Sequence, residues 1–301
     1  ESSELEIVIL GLPDSFGDTP KLEKCYDPKS KEHVIAGTFP LQVDVTKEIN
    51  EFWSVLRKHN VKVIRPENTD ELNQIFTRDI SFVIENKFII PNIIEERLDE
   101  IKAISSIISE IPKQNILRMP QQSRAEGGDV MPWNEFIFVG YSEEEDFNRY
   151  RVARTNKEGV QFLEKEFPNK KVRAFELKKS DENPRENALH LDCCFQTLAN
   201  DKAIICPDGF KNKKDVLKFI RKQDFAYEIV DFDVGDFNGD GKDDVIVGAL
   251  YDDNNDVIQT LSTKKHLVDS HGKSAITVSI SNPSLNLVAN KILSNIHWSG
   301  P

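Results

Sequence analysis

One pattern recurs along this chain and constrains it more than any composition figure. Two short apolar runs flank a tight turn, a stretch with helical spacing follows, and a further apolar run closes the unit. Ile7 to Leu12 reads as a strand. Val45 to His59 carries Val45, Ile49, Phe52, Trp53 and Leu56 on one helical face, and Val61 to Arg65 returns as a strand stopped by Pro66. A second unit opens at Ile75 to Asp79, pairs with Asn86 to Ile90, and continues as a helix from Glu95 to Glu110 and a strand from Asn115 to Met119. The third has Gly128 to Trp133, a turn at Asn134, Phe136 to Gly140, a helix from Tyr150 to Phe167 and a strand from Val172 to Leu177. The fourth has His190 to Leu198, Ala203 to Cys206, a helix from Lys213 to Lys222 and a strand from Tyr227 to Phe232. The period is uneven, roughly 50 to 60 residues, and such self-similarity points to a radial or stacked architecture. An ordinary α/β sandwich with accidental spacing fits the same marks equally well.

Residues 233–301 break the pattern. The sequence predicts a body over 1–232 and an atypical segment over 233–301, either a degenerate fifth unit or an appended piece. Val245 to Leu250 and Val257 to Leu261 suit a hairpin, and Leu285 to Leu293 suits a helix.

A chain of 301 residues buries a full core. Its net charge of −12 argues against a nucleic-acid or anionic-membrane partner. No apolar run reaches the length of a membrane span. The four cysteines, Cys25, Cys193, Cys194 and Cys206, show neither zinc spacing nor disulfide density, so a reducing, cytoplasmic setting is the expectation. The chain begins at Glu1 rather than Met, which leaves a removed signal peptide and secretion open.

Three polar motifs fall at equivalent places in the units: Phe76-Thr77-Arg78-Asp79, Glu126-Gly127-Gly128-Asp129 and His190-Leu191-Asp192-Cys193-Cys194-Phe195. Each is expected at a strand start beside a turn. The paired glycines allow close backbone approach or positive φ. If the units surround an axis, the motifs converge on one pocket. Several carboxylates there would grip a planar guanidinium through paired, charge-assisted hydrogen bonds, and His190 would move a proton. Taken singly, a Glu-Gly-Gly-Asp is more often a turn, and a His-x-Asp more often a plain hydrogen-bonded pair. Their joint occurrence at matching positions reverses that balance.

These motifs, with Asn187-Ala188-Leu189 before His190 and with Arg154-Thr155-Asn156-Lys157-Glu158-Gly159-Val160, resemble the signature segments of the guanidino-group-modifying enzymes over about residues 1–230. That superfamily comprises arginine deiminases, dimethylarginine dimethylaminohydrolases and amidinotransferases. The resemblance implies a pentein-type α/β propeller with an atypical fifth unit, a small guanidino substrate, and no cofactor for the chemistry. It implies a covalent mechanism: a cysteine attacks the guanidino carbon, the histidine protonates the departing amine, then activates water or a second amine. By resemblance His190 is the acid/base, Glu126 supports it, and Asn73, Phe76, Arg78, Asp79, Asp129 and Asp192 line the substrate. The sequence departs from the family pattern in two places. Asn73 stands where a carboxylate is usual, and no cysteine follows Cys206. Cys194, on the face of His190 if the segment is a strand, is then the candidate thiol, against the plainer expectation of a buried structural cysteine. A catalytically silent guanidinium-binding relative is the alternative. An oligomer is compatible with either.

Separately, Asp236, Asn238 and Asp240 alternate before Gly241, with the Lys242 carbonyl and the Asp244 carboxylate to follow. That is the opening of a calcium loop, without a glutamate at the twelfth position, where Val247 stands. It resembles the loop of integrin-type propeller repeats, and makes a calcium-dependent interaction segment a further expectation. A solvated acidic turn fits the same residues equally well.

Overall fold

Three complete copies of the recurring unit are present in the computed structural model, which describes residues 5–198, 202–223 and 225–229 together with Leu267–Val268 and Ser274–Ala275. The chain divides into two units, Glu1–Phe232 and Asp233–Pro301. In the second, Leu267–Val268 pairs antiparallel with Ser274–Ala275. The expected hairpin at 245–261, the helix at 285–293 and the calcium candidates Asp236, Asn238, Asp240, Lys242 and Asp244 lie outside the described residues.

The first unit opens with β1 (Ile7–Ile9), α1 (Pro28–Ala36), α2 (Gln42–Lys58) and β2 (Lys62–Ile64), and β1 lies parallel to β2. Then come α3 (Thr77–Ile80), β3 (Phe82–Ile84), β4 (Lys87–Ile90), α4 (Leu98–Lys102), α5 (Ser105–Glu110) and β5 (Ile116–Arg118). Strand β4 pairs antiparallel with β3 and parallel with β5. The same mixed sheet recurs in β6 (Val130–Trp133), β7 (Phe136–Tyr141), α6 (Glu144–Arg149), α7 (Lys157–Glu166) and β8 (Lys171–Glu176). It recurs again in β9 (Phe195–Leu198), β10 (Lys202–Ile205), α8 (Lys213–Lys222) and β11 (Ala226–Ile229). The architecture is therefore mixed α/β, and no sheet among the described residues closes on itself.

Each middle strand has a partner on both edges and cover on both faces, which is why these strands read as continuous apolar runs. Ile137, Phe138 and Val139 of β7 have no exposed surface. Phe136 and Phe175 stack on Phe138 while Phe195 and Phe219 meet it edge-on, a ring-rich core worth roughly 1.5–3 kcal/mol per buried side chain. The hairpin turns fall where the sequence marks them, at Glu85 and Asn134, both with positive φ. No helix among the described residues is long and apolar enough to cross a membrane.

The differences from the expected elements have local causes. Phe52 and Trp53 are not on the inward face of α2; Phe52 is exposed, and the guanidinium groups of Arg57 and Arg65 cover the Trp53 ring. The helix expected over 95–110 breaks into a 3-10 turn (Glu95–Arg97), α4 and α5. There the Ala103 carbonyl accepts from the Glu67 N–H at 2.8 Å. The helix expected over 150–167 starts only at Lys157, where Asn156 caps it by accepting from the Gly159 N–H at 2.9 Å. Residues 150–156 instead form a loop that carries Arg154 and Thr155 inward, each 1 % exposed.

Candidate active site

The three polar motifs are not strand starts. Each is a single helical turn placed immediately before the first strand of its unit: Thr77–Ile80 before β3, Gly127–Asp129 before β6 and Leu191–Cys193 shortly before β9. Asp79 lies within its turn, whereas Glu126 and His190 are the extended residues that precede theirs. Asp79, Glu126 and His190 converge, each with a donor atom within 4.8 Å of the other two, and all three are buried.

His190 Nε2 lies 2.9 Å from Glu126 Oε2, and Nδ1 lies 3.7 Å from Asp79 Oδ1. Burial alone would lower the imidazole's pKa, but Asp79, Glu126 and Asp129 outweigh it and raise it to about 9. Burial would likewise raise Glu126, yet the hydrogen bond to His190 and the nearby Arg154 and Arg97 hold it well below the usual carboxylate range. At neutral pH the pair is an imidazolium against a carboxylate. That arrangement can give a proton to a leaving amine and recover one from an incoming nucleophile.

Glycine is required beneath the pair. A Cβ on Gly128 would lie 2.8 Å from Asp79 Oδ1 and 2.8 Å from His190 Cγ. One on Gly127 would run into the Arg78 carbonyl. Neither glycine has positive φ, so close approach is what selects them.

Asp129 is buried with both carboxylate oxygens hydrogen-bonded. Its Oδ1 accepts from the Leu191 N–H at 2.9 Å and its Oδ2 from the Thr155 hydroxyl at 2.7 Å, while the Thr155 oxygen accepts from the Glu126 N–H at 3.2 Å. Asp129 thus ties the backbone beside His190 to the backbone of Glu126. Lys179 adds a second clamp, donating to the carbonyls of Ala188 and Leu189 at 2.8 Å each.

Other expected residues have local roles. Arg78 donates from Nε to Asp192 Oδ2 at 2.9 Å, an ion pair on the exposed side of the motifs. Asn73 is exposed and accepts from the Ile75 N–H at 3.2 Å, closing its own turn. Phe76 is 52 % exposed, and its carbonyl accepts from Arg97 at 3.2 Å.

Cys194 is buried, 4 % exposed. The segment around it is a 3-10 turn rather than a strand, so alternation does not put the thiol beside His190. It packs among Ala188, Phe195, Cys206 and Phe210, donates to the Leu191 carbonyl at 3.5 Å, and is pushed well up in pKa by burial. Its surroundings are those of a structural cysteine.

Two further residues meet the site, although the sequence assigned neither of them a role there: Arg97, and Arg154 of the signature stretch. Arg97 donates from Nη1 to Asp79 Oδ2 at 2.7 Å and to Glu126 Oε2 at 3.4 Å. It also grips both oxygens of Glu100, at 2.7 and 2.8 Å, and donates to the Phe76 carbonyl at 3.2 Å. In sequence, Arg97 and Glu100 look like any surface ion pair at helical spacing. Arg154 donates to Glu126 Oε1 at 3.2 Å and lies 5.4 Å from the Tyr26 ring. Asp79, Glu126 and His190 are spaced to hold a metal ion, but Arg97 already sets a cation against both carboxylates.

The family model described as N,N dimethylarginine dimethylhydrolase, eukaryotic, matches residues 38–237. The uncharacterized protein YkgA of Bacillus subtilis (strain 168) is 30 % identical over 151 residues, 50 % of this chain and 46 % of that protein. The chain thus spans about half the length of the curated relative it matches. The N-terminal domain of ArgZ, an arginine dihydrolase from the ornithine-ammonia cycle in cyanobacteria, is similar in structure with a TM-score of 0.58 at 16 % identity, over 75 % of this chain and 76 % of that one. A variant of that domain, covalently bonded to a reaction intermediate, matches at the same TM-score and identity over 75 % of each chain. At such identities these likenesses speak to the fold. The family match spans most of the chain and contains all three polar motifs: the chain belongs to the N,N dimethylarginine dimethylhydrolase family, within the guanidino-group-modifying pentein superfamily.

Proposed function

We propose that this protein acts on a small guanidino compound as a hydrolase or amidinotransferase, with the mixed sheets arranged as a propeller around the site. The observation that carries the reading is the buried His190–Glu126 pair with Asp79 on the imidazole's other side. Asp79 would bind the substrate guanidinium by charge-assisted hydrogen bonds. A nucleophile adds to the guanidino carbon, and the carbon–nitrogen bond to the departing amine breaks as the His190 imidazolium gives that nitrogen its proton. The neutral imidazole then takes a proton from water, or from a second amine, as it attacks the same carbon, and the bond between that carbon and the first nucleophile breaks, which frees the nucleophile again. Glu126 keeps the imidazole oriented through both steps. Cys194, walled into the core, is not proposed as the nucleophile, and that placement favours a second reading: a guanidinium-binding relative without turnover.

Titration calorimetry with arginine, agmatine and methylated arginines, beside an assay for citrulline-type product or ammonia, separates these readings. Binding with product that His190→Ala abolishes supports the enzyme. Binding without product supports the silent relative. Absence of both would sink the guanidino reading and leave the family membership standing.

A further inference from the structure

Lys179 is 6 % exposed, and its ammonium ends on two carbonyls rather than on a carboxylate. Burying a cation in that way is costly, and burial pushes its pKa down. Two carbonyls need only two N–H donors, which a neutral amide side chain also supplies. The charge therefore calls for a reason of its own. Asp129 provides one, since its carboxylate is the leading attraction that opposes the burial of Lys179; Arg154, Cys193 and Cys194 are the other titratable or charged groups acting on the ammonium.

The two side chains bracket His190. Lys179 holds the carbonyls of the two residues before the histidine, and Asp129 holds the N–H of the residue after it. The backbone beside Lys179 is fixed in turn: the Lys178 carbonyl accepts from the Ala188 N–H at 3.0 Å, and the Lys178 N–H donates to the Gly209 carbonyl at 2.9 Å. Asp129 is 1 % exposed, with His190 and Lys179 as the cations that favour its charged form and Glu126 as a carboxylate that opposes it. The proposed reaction removes one of those cations, because the imidazolium becomes neutral when it protonates the departing amine. A proton taken up by Asp129 at that moment would turn an acceptor oxygen into a donor and loosen the bracket.

We infer that Lys179 is a positioning residue for His190: its ammonium is the permanent counter-charge of Asp129, so the bracket on both sides of the histidine holds while the imidazole is without its proton. The inference rests on the enzymatic reading above.

The test compares the wild type with Lys179→Gln, which keeps N–H donors without the charge, and Lys179→Arg, which keeps both. Product formation from arginine and agmatine is followed against pH, beside an NMR titration of His190. With one cation gone, the imidazolium should be harder to deprotonate. The expected result in Lys179→Gln is a His190 titration displaced upward by at least ~0.5 pH unit, and a kcat lower by at least ~10-fold at little-changed KM. Lys179→Arg should restore both. An unmoved or lower His190 titration in Lys179→Gln, or equal losses of kcat in the Gln and Arg variants, would overturn the inference while leaving the enzymatic reading intact. No product from the wild type would instead remove that reading, and the His190 titration would still decide whether Lys179 supplies the counter-charge. Should Lys179→Gln fail to fold, NMR of the wild-type lysine decides the matter. Its ammonium should keep its proton above the pH at which His190 loses its own, and loss at or below that pH would refute the inference.

Discussion

The imidazole of His190 meets the carboxylate of Glu126 at 2.9 Å, with the two side chains 4 % and 0 % exposed and 64 residues apart in sequence. Two consequences follow for pH. The folded imidazole titrates at about 9, above its ordinary 6.5, so the folded protein holds that proton more tightly than the unfolded chain does. Its stabilisation is complete below pH 6.5 and is lost as pH rises through about 9. Glu126 works in the opposite sense: its value is lowered, so its contribution is present above about pH 4.5 and lost on acidification. Denaturant melts across pH should show a plateau between these limits, with an alkaline fall on the order of 3 kcal/mol. His190→Gln should flatten the alkaline limb. An unchanged limb in that variant would place the titration elsewhere.

Gly128→Ala should damage the site more than the fold. The new methyl would press on Asp79 Oδ1 and the His190 ring, both within 3 Å of it. Overpacking of this kind costs roughly 1–3 kcal/mol. Agmatine affinity should fall by at least ~10-fold, and normal binding with a normal Tm would show that the contact relaxes freely.

Thr155 offers a test of the Asp129 clamp. Thr155→Ser keeps the hydroxyl that donates to Asp129 and accepts from Glu126. Thr155→Val keeps the shape and removes both bonds, leaving Asp129 short of a donor at a cost of about 1–3 kcal/mol. NMR titration of His190 should match the wild type in the Ser variant and shift in the Val variant. Identical titrations in both would reduce the clamp to simple packing.

Cys194→Ala should leave ligand binding unchanged and lower stability by about 1 kcal/mol, the cost of a small core cavity. The thiol's neighbours are apolar and Gly209 lies against its Cβ. Loss of turnover with binding retained would reinstate Cys194 as a nucleophile.

For Asp236 to Asp244, the sequence expectation of a calcium site is tested by Tm: if the site forms, millimolar calcium raises Tm, and Asp236→Asn with Asp240→Asn abolishes the rise. A Tm indifferent to calcium would remove the calcium expectation.

The recurring unit was legible because hydrophobic period and turn residues are local: the hairpins turn at Glu85 and Asn134, and α8 spans Lys213–Lys222 as the spacing predicts. The three polar motifs were legible as a set for the same reason, since each stands at the same place in its unit. Their conformation was not. A few residues with mixed polarity carry no period, and only the contacts across the site place Asp79 on a helical turn and Glu126 and His190 in extended backbone just before theirs. Arg97 shows the same limit more sharply. Its sequence neighbours Glu95, Glu96 and Glu100 describe an ordinary charged surface, yet the tertiary structure buries it against Asp79, 18 residues away, and Glu126, 29 away. Periodicity decides which face of an element is apolar, and so what forms; the pairing of buried charges depends on which elements meet, because a low-dielectric interior admits a charge only where its counter-charges already converge.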